Sequence, residues 1–168
     1  MLLPPEQAVI LLVEDRPDDV ILVKRALMQA GVTNPVHVVG DGEQALAYLD
    51  GVGKFADREN YPLPNIMMLD LKMPKMDGFD VLRAMRDRPA LSAVRVLVLT
   101  SSEDIYDVGK AYELGANSFL VKPNDFQDYA SLMRTLGSFW LHRNIMPPLR
   151  PPSGTVAAPG AGEHSPSP

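Results

Sequence analysis

Carboxylates, hydroxyls and a lysine stand directly after short apolar runs of this 168-residue sequence. Glu14 and Asp15 follow the run AVILLV, Asp70 follows NIMML, Thr100 and Ser101 follow VRVLVL, and Lys122 follows SFLV. A short continuous apolar run is typical of a β-strand that is buried on both faces. If these strands are parallel neighbours, their carboxyl ends bring three acids, hydroxyls and an ammonium group to one edge of a sheet.

Each of these residues also has a purely structural interpretation. Acids after a strand often cap the next helix, and a lone aspartate often forms a turn. The sequence Thr100-Ser101-Ser102-Glu103 fits a capping box in which Thr100, or one of the serines, caps a helix. Lys122 fits a solvated surface. These interpretations do not explain why all the residues share one edge, because clustered carboxylates repel and, without a cation, at least one would protonate.

Phosphoryl transfer to a carboxylate is the chemistry that needs this set of groups. Carboxylates hold Mg²⁺, which prefers oxygen ligands, and one carboxylate attacks phosphorus to form an aspartyl phosphate. The metal, the lysine ammonium and the hydroxyl then neutralise charge on the equatorial phosphoryl oxygens. The residues therefore predict a Mg²⁺-dependent phosphoryl-accepting site.

The elements that must position these residues alternate along the chain. Apolar runs predict strands at residues 8–13, 36–39, 65–69, 94–99 and 118–121. Helical spacing of apolar residues predicts helices at residues 17–30, 43–49, 78–86, 103–114 and 125–141. Alternation of this kind implies an α/β fold with parallel strands joined by right-handed crossovers, and we expect the strand order 2-1-3-4-5. The functional site of such a sheet lies at the carboxyl ends of its strands.

Composition and charge exclude several classes of function. The sequence contains no cysteine, which removes disulfides, thiolate metal sites and a cysteine nucleophile and fits a cytoplasmic protein. Its net charge of −5 gives no overall attraction to nucleic acid or to an anionic membrane. No apolar stretch is long enough to span a bilayer, and no P-loop motif is present. The protein is therefore not expected to bind DNA, a membrane or ATP.

The prolines divide the chain into a folded part and a tail. Many of the 16 prolines lie after residue 146, in a stretch with few charges and no aromatic residue. Such a stretch cannot bury enough apolar surface to offset its ordering entropy. We therefore expect a folded domain of residues 7–143 and a disordered Pro/Gly-rich tail of residues 144–168. The tail has no room for an effector domain, so we expect the output to come from a partner.

Four segments of the chain resemble the receiver domain of two-component response regulators. They are LLVED at residues 11–15, LDLKMPKMDG at residues 69–78, LTSS at residues 99–102 and SFLVKP at residues 118–123. The resemblance covers residues 7–143 and implies a flavodoxin-like (βα)5 sandwich. The long connection at residues 51–64 and the aromatic end of the last helix are similar to single-domain receivers that serve phytochrome-like sensor histidine kinases.

The resemblance implies a role for each residue of the site. Asp70 is the expected phosphoacceptor. Glu14 and Asp15 are the expected acidic pair for Mg²⁺, with Asp70 and the backbone carbonyl of Lys72 as further ligands. The expected phosphoryl-binding groups are the Thr100 hydroxyl, the Ser101 backbone N–H and the Lys122 ammonium. Thr100 and Phe119 are the expected switch pair, although Phe119 also fits a plain core position. A cis peptide bond is expected between Lys122 and Pro123.

Two variable positions are expected to tune the lifetime of the phosphoryl group. Lys72 lies two residues after Asp70, and Ser102 lies two residues after Thr100. In the family these positions flank the water that hydrolyses the acyl phosphate. A lysine at position 72 pairs with the phosphoryl group, obstructs that water or points to solvent. We expect a long-lived phosphoryl group.

The function expected from this resemblance is that of a stand-alone response regulator in a phosphorelay. A histidine kinase phosphorylates Asp70, and the last α–β–α face, residues 103–141, then changes its binding to a downstream protein, a phosphotransfer partner or a second copy of the chain. Tyr106, Tyr112 and Phe139 are candidate exposed anchors there, although core packing is the commoner fate of such residues.

Three alternatives remain beside this function. A phosphohydrolase of the haloacid-dehalogenase type also uses a strand-end aspartate, but it needs Asp-x-Asp where this chain has Asp70-Leu71-Lys72. A flavodoxin-like cofactor binder is disfavoured because the acids would repel a flavin phosphate. An interaction-only pseudo-receiver is disfavoured because every phosphorylation residue is present. We expect no catalysis beyond the protein's own phosphorylation and dephosphorylation.

Overall fold

Strands and helices alternate through the computed structural model, which describes residues 3–149. The strands are β1 (Ile10–Val13), β2 (Val36–Val39), β3 (Ile66–Leu69), β4 (Arg95–Thr100) and β5 (Ser118–Val121). The helices are α1 (Pro17–Gln29), α2 (Gly42–Asp50), α3 (Gly78–Arg86), α4 (Ile105–Glu113) and α5 (Phe126–Leu136). A π-helical segment, Gly137–Arg143, continues α5. The predicted order of strands and helices is confirmed.

The five strands form one parallel sheet in the order β2-β1-β3-β4-β5, as predicted. Val13 at the end of β1 lies opposite Leu69 at the end of β3. Glu14 and Asp70, the next residues in each segment, therefore leave the sheet at the same level. The sheet register alone brings these two acids to neighbouring positions.

Helices cover both faces of the sheet and give the protein two cores. Side chains of a strand alternate between faces, so Leu11 and Val13 of β1 point to one core while Ile10 and Leu12 point to the other. The first core contains residues of α2, α3 and α4. The second contains residues of α1 and α5. This burial on both faces explains why the strands are continuous apolar runs.

The helices that follow the acidic strand ends begin at signals present in the sequence. α1 begins at Pro17, whose fixed φ and missing N–H suit the first position of a helix. α3 begins after Asp77, which accepts the Asp80 N–H at 2.9 Å while the Asp80 side chain accepts the Asp77 N–H at 3.3 Å. Gly78 is required there because a Cβ would overlap the backbone oxygen of Asp70. These starts fix the loops that carry the acids.

The structure excludes one of the structural alternatives and contradicts one local prediction. Thr100 does not cap α4: it is the last residue of β4, and its carbonyl accepts the Lys122 N–H at 2.8 Å within the sheet. Asp104 caps the helix instead, by accepting the Tyr106 N–H at 2.9 Å. The cis peptide bond expected between Lys122 and Pro123 is also not observed, since every peptide bond in the described residues is trans.

The chain beyond the π-helical segment packs against both cores of the domain. Met146 packs against the second core and Leu149 against the first, and both are half-buried. The remainder of the predicted tail, residues 150–168, lies outside the described residues, so the boundary at residue 143 stays a prediction. Within residues 3–149, the helices are all too short or too polar to cross a bilayer.

Candidate functional site

The Lys122 ammonium is the centre of a charged cluster at the carboxyl edge of the sheet. Its Nζ lies 2.6 Å from Glu14 Oε2, 3.0 Å from Asp70 Oδ2 and 2.9 Å from Asp19 Oδ2. The Lys122 side chain is only 10% exposed, and those of Glu14 and Asp70 are 2% and 5% exposed. A lysine therefore ties the ends of β1, β3 and β5 together inside a nearly closed site.

Asp19 is a member of this cluster that the sequence analysis did not assign to it. An acid at this position also has a purely structural role, because it lies near the positive end of α1. It lies in the first turn of that helix, four residues after Asp15 and directly above the sheet edge. The spacing of Asp19 from Asp15 was the signal that could have identified it, because the first turn of α1 begins beside the carboxyl end of β1.

Asp15 supplies an oxygen that has no protein partner. Its Oδ1 atom is buried and accepts no hydrogen bond from the described residues. One carboxylate oxygen from each of Glu14, Asp15 and Asp70 lies within 4.8 Å of the others, a spacing that suits a shared cation. Carboxylate oxygens are preferred ligands of Mg²⁺ and similar divalent ions. The donor set therefore fits a divalent metal, and the unpartnered Asp15 oxygen is the ligand that such an ion would satisfy.

The pKa values of Glu14 and Lys122 show an excess of negative charge at the site. Burial raises the pKa of Glu14 to about 7, and the negative charge of Asp70 adds to this effect while Lys122 opposes it. Burial alone would lower the pKa of the Lys122 ammonium, but its carboxylate partners outweigh burial and raise that pKa above its usual value. Burial thus favours the neutral form of Glu14, and the charge of the neighbouring Asp70 acts in the same direction.

Asp70 is held by the loop that follows it. Its Oδ1 atom accepts the backbone N–H of Lys72 at 3.2 Å, while Oδ2 faces Lys122. The Lys72 side chain is exposed. The loop then turns through Lys75, whose φ of 65° lies in the left-handed region, and returns to Gly78 at the start of α3. Asp70 therefore keeps one oxygen against an ammonium and the other against a backbone donor.

The hydroxyl residues after β4 point to a separate network. Thr100 is completely buried, and its Oγ1 atom accepts the Ser102 N–H at 3.3 Å. The Ser102 hydroxyl donates to Asp107 Oδ2 at 2.5 Å and accepts the Asp104 N–H at 3.3 Å. Within residues 3–149, no hydrogen bond joins the side chain of Thr100, Ser101 or Ser102 to the acids that surround Lys122. These residues lie on the predicted edge, but the structure brings together only the acids and the lysine.

Phe119 lies on β5, the outer strand on this side of the sheet. It is half-buried and packs against the first core. Its backbone N–H donates to the hydroxyl of Tyr112 on α4 at 3.1 Å. Phe119 therefore has core contacts as well as a link to α4.

The surface formed by α4, β5 and the end of α5 is rich in exposed apolar groups. Tyr106 is 83% exposed, and Tyr112 and Phe139 are 50% and 53% exposed, so the three candidate anchors do lie at the surface. Ile105 and Val121 add further exposed apolar area on the same elements. Exposed apolar side chains therefore lie on α4, on β5 and just beyond the end of α5.

Known proteins share this fold. The family model of the response regulator receiver domain matches residues 10–134. Response regulator Rcp1 of Synechocystis is 38% identical over 144 residues, which are 86% of this chain and 95% of the relative. The crystal structure of the Mn²⁺-bound form of Rcp1 aligns with a TM-score of 0.75 at 37% identity, over 84% of this chain and 99% of that one.

Two phytochrome response regulators of known structure are also similar to this chain. The phosphorylated cyanobacterial phytochrome response regulator RcpA aligns with a TM-score of 0.78 at 32% identity, over 84% of this chain and 99% of that one. The bacteriophytochrome response regulator RtBRR aligns with a TM-score of 0.68 at 43% identity, over 84% of this chain and 85% of that one. The family model covers more than half of the chain, and the relatives share its parallel sheet. The chain belongs to the response regulator receiver domain family.

Proposed function

We propose that this protein is a response regulator that accepts a phosphoryl group on Asp70 from a phosphohistidine of a sensor kinase. One observation carries the proposal: the buried Asp15 oxygen has no partner among residues 3–149, while the Lys122 ammonium pairs with the carboxylates beside it. A site that combines an unsatisfied anionic oxygen with a buried ammonium is prepared for a metal ion and a phosphoryl group together.

The transfer follows from the position of Asp70. One of its carboxylate oxygens forms the new bond to phosphorus as the P–N bond to the kinase histidine breaks. The electron pair of that bond stays on the imidazole, which is protonated on its other nitrogen and therefore leaves as a neutral ring. Lys122, already 3.0 Å from Asp70, pairs with a phosphoryl oxygen, and the Thr100 hydroxyl and the Ser101 backbone N–H are the further donors that we assign.

Mg²⁺ is the metal that we assign to the site. Glu14, Asp15, Asp70 and the Lys72 carbonyl would hold it, and the first three already lie close enough to share one ion. When bound, the ion neutralises charge on the phosphoryl oxygens. The Mn²⁺-bound form of Rcp1 supports a divalent ion in this family.

Phosphorylation then changes the face formed by α4, β5 and α5. It adds about −1.5 to −2 charges at Asp70, and Thr100 moves toward the new group and leaves room for Phe119 to turn inward. The exposed anchors on residues 103–141 are the surface that we expect to change its affinity for a second copy of the chain or for a downstream protein.

A phytochrome-like histidine kinase is the partner that we propose, in the cytoplasm. RcpA and RtBRR are described as phytochrome response regulators, and both are more than 30% identical to this chain. The long connection between α2 and β3 supports the same assignment through its resemblance to single-domain receivers that serve such kinases. Arg58 orders this connection by donating to the carbonyls of Tyr48 and Leu49 at 2.7 and 2.6 Å.

The rival function is a Mg²⁺-dependent phosphohydrolase with Asp70 as nucleophile. Such an enzyme needs a second acid two residues after the nucleophile, and this chain has Lys72 with an exposed side chain there. The structure supplies no other acid on that loop close to Asp70, since Asp77 and Asp80 are paired with each other at the start of α3. These features support our proposal of a phosphoacceptor that catalyses only its own modification.

Intact mass spectrometry after incubation with acetyl phosphate tests this function. We expect one phosphoryl adduct in the presence of Mg²⁺, none with EDTA and none in the Asp70→Asn variant. An adduct that persists in Asp70→Asn would show that another residue accepts the group. Release of free phosphate from diverse phosphate esters, without an accumulating adduct, would favour the hydrolase.

A further inference from the structure

Two residues of α4 are hydrogen-bonded to the two segments that carry the switch pair. Asp107 in the first turn of α4 accepts the hydroxyl of Ser102, which is two residues after Thr100. Tyr112 in the last turn accepts the backbone N–H of Phe119. One helix therefore holds both members of the switch, each at a different end.

The contact at the start of α4 is buried and charged. Ser102 is only 4% exposed, and its hydroxyl lies between the Asp107 carboxylate and the Asp104 N–H. The backbone N–H of the same serine donates to Thr100 Oγ1. Thr100 is thus fixed in its present position by a residue that is itself fixed to α4. Thr100 cannot approach a group on Asp70 without loss of the bond from the Ser102 N–H.

The contact at the end of α4 closes the open edge of the sheet. Lys122 donates its N–H to Thr100 on β4, and alternate residues of a parallel edge strand face away from the sheet. The N–H of Phe119 therefore points outward, where Tyr112 covers it at 3.1 Å. A displacement of β5 at Phe119 stretches or breaks this bond.

We propose that Asp107 and Tyr112 are positioning residues that stabilise the unphosphorylated conformation of the switch, Asp107 through Ser102 and Thr100, and Tyr112 through the backbone of Phe119. This inference rests on the proposed function. Both bonds are made in the present conformation and lost on activation, so each one biases the equilibrium toward the inactive state. Removal of either bond therefore raises the population of the active conformation and the apparent affinity for a phosphoryl mimic.

The test is a titration of the full chain with beryllofluoride and Mg²⁺, followed by NMR on the amides of residues 100–121. We expect Ser102→Ala and Asp107→Ala each to tighten apparent binding about tenfold, as expected for one buried hydrogen bond to a charged group. The double variant is expected to bind no more tightly than either single variant, because both changes remove the same bond. Equal additive effects would show that the two residues act separately and would overturn the Asp107 part.

Tyr112→Phe tests the other end with the loss of a single oxygen. We expect binding to tighten about two- to threefold, since this hydrogen bond is partly exposed and worth little. Tyr106→Phe on the same helix is the matched control, because Tyr106 is 83% exposed and no hydrogen bond of its hydroxyl is present among the described residues. We expect no change in the control.

A purely structural role gives a different result. If Ser102→Ala and Tyr112→Phe lower thermal stability equally with and without beryllofluoride and leave its apparent affinity unchanged, the inference is wrong. Should the Asp107 variant fail to fold, Ser102→Ala and Tyr112→Phe still decide the question. If the wild-type protein binds no beryllofluoride, the proposed function fails first, and the inference fails with it.

Discussion

The two ends of the parallel sheet differ in how their polar groups are satisfied. At the amino ends of the strands, Asn65 Oδ1 accepts the Val9 N–H at 2.9 Å and Asn117 Oδ1 accepts the Val96 N–H at 2.8 Å. At the carboxyl ends, Lys122 holds three carboxylates together, and the buried Asp15 oxygen has no partner in the described part of the chain. At the amino end, neutral side-chain amides satisfy the strand N–H groups. At the carboxyl end, charged carboxylates remain available to bind a ligand.

The comparison separates stability from function within one sheet. An amide that pairs with a strand N–H completes the backbone hydrogen bonding and leaves no group for a ligand. A buried carboxylate without a partner is costly unless a cation or a donor arrives. The amino end therefore completes the backbone hydrogen bonding of the fold, while the carboxyl end keeps an electrostatic cost that a bound metal ion would relieve. Changes at the amino end should lower stability alone, whereas changes at the carboxyl end should alter phosphorylation as well.

Lys122→Met is expected to have the largest effect on stability. It leaves three carboxylates without their ammonium, and loss of one partner of a buried ion pair costs about 3–5 kcal/mol. Urea unfolding in EDTA measures this loss, and Mg²⁺ should restore part of it because the ion binds the same acids. The variant should also lose the phosphoryl adduct. Unchanged stability would mean that the carboxyl end is not held by this cluster.

The pH dependence of stability should expose the raised pKa of Glu14. The folded protein binds a proton at Glu14 that the unfolded chain releases at lower pH, so stability falls as pH rises from 4.5, the usual value, toward about 7. Urea unfolding across this window in EDTA measures the fall. Glu14→Gln is expected to flatten that part of the curve, and an unchanged slope in the variant would contradict the assignment.

Asn65→Ala tests the amino end. It leaves the buried Val9 N–H without its acceptor, which costs about 1–3 kcal/mol. Thermal unfolding should show this loss, while the amount of phosphoryl adduct formed with acetyl phosphate should equal that of the wild type below the unfolding temperature. Loss of the adduct in this variant would mean that the two ends of the sheet are not separable.

Lys72→Asn is expected to have the smallest effect, on the lifetime of the phosphoryl group alone. The Lys72 side chain is exposed beside the acceptor, and a shorter side chain gives the hydrolytic water better access. Loss of the adduct over time by mass spectrometry should become several-fold faster, with no change in urea unfolding. An unchanged rate would show that the side chain points to solvent also in the phosphorylated protein.

The sequence was sufficient for the parts of the structure that depend on strand order. Because parallel strands end at one edge, the run of apolar residues before Glu14, Asp70 and Lys122 was enough to bring these residues together. The same reasoning explains why the elements were predicted within a few residues. The capping residue of α4 was missed, because the sequence suggested Thr100 or one of the following serines, whereas Asp104 caps the helix.

Contacts between side chains of different elements were not accessible in this way. Asp19 reaches Lys122 only because of the direction in which α1 leaves β1. The bond of Tyr112 to Phe119 depends on how α4 lies against an edge strand. Such approaches depend on packing over the whole domain, which periodicity does not record. These contacts occurred at polar residues in the first turn of α1 and in the last turn of α4.

Chemical mapping of the phosphoryl group tests the central claim most directly. Treatment with acetyl phosphate and Mg²⁺, reduction with labelled borohydride and tandem mass spectrometry of the peptides identify the carboxyl group that was phosphorylated. We predict that the label lies on Asp70 alone and disappears when EDTA replaces Mg²⁺. Label on Glu14, Asp15 or Asp19 instead, or no label in a folded protein, would contradict the assignment of this edge as a phosphoryl-accepting site.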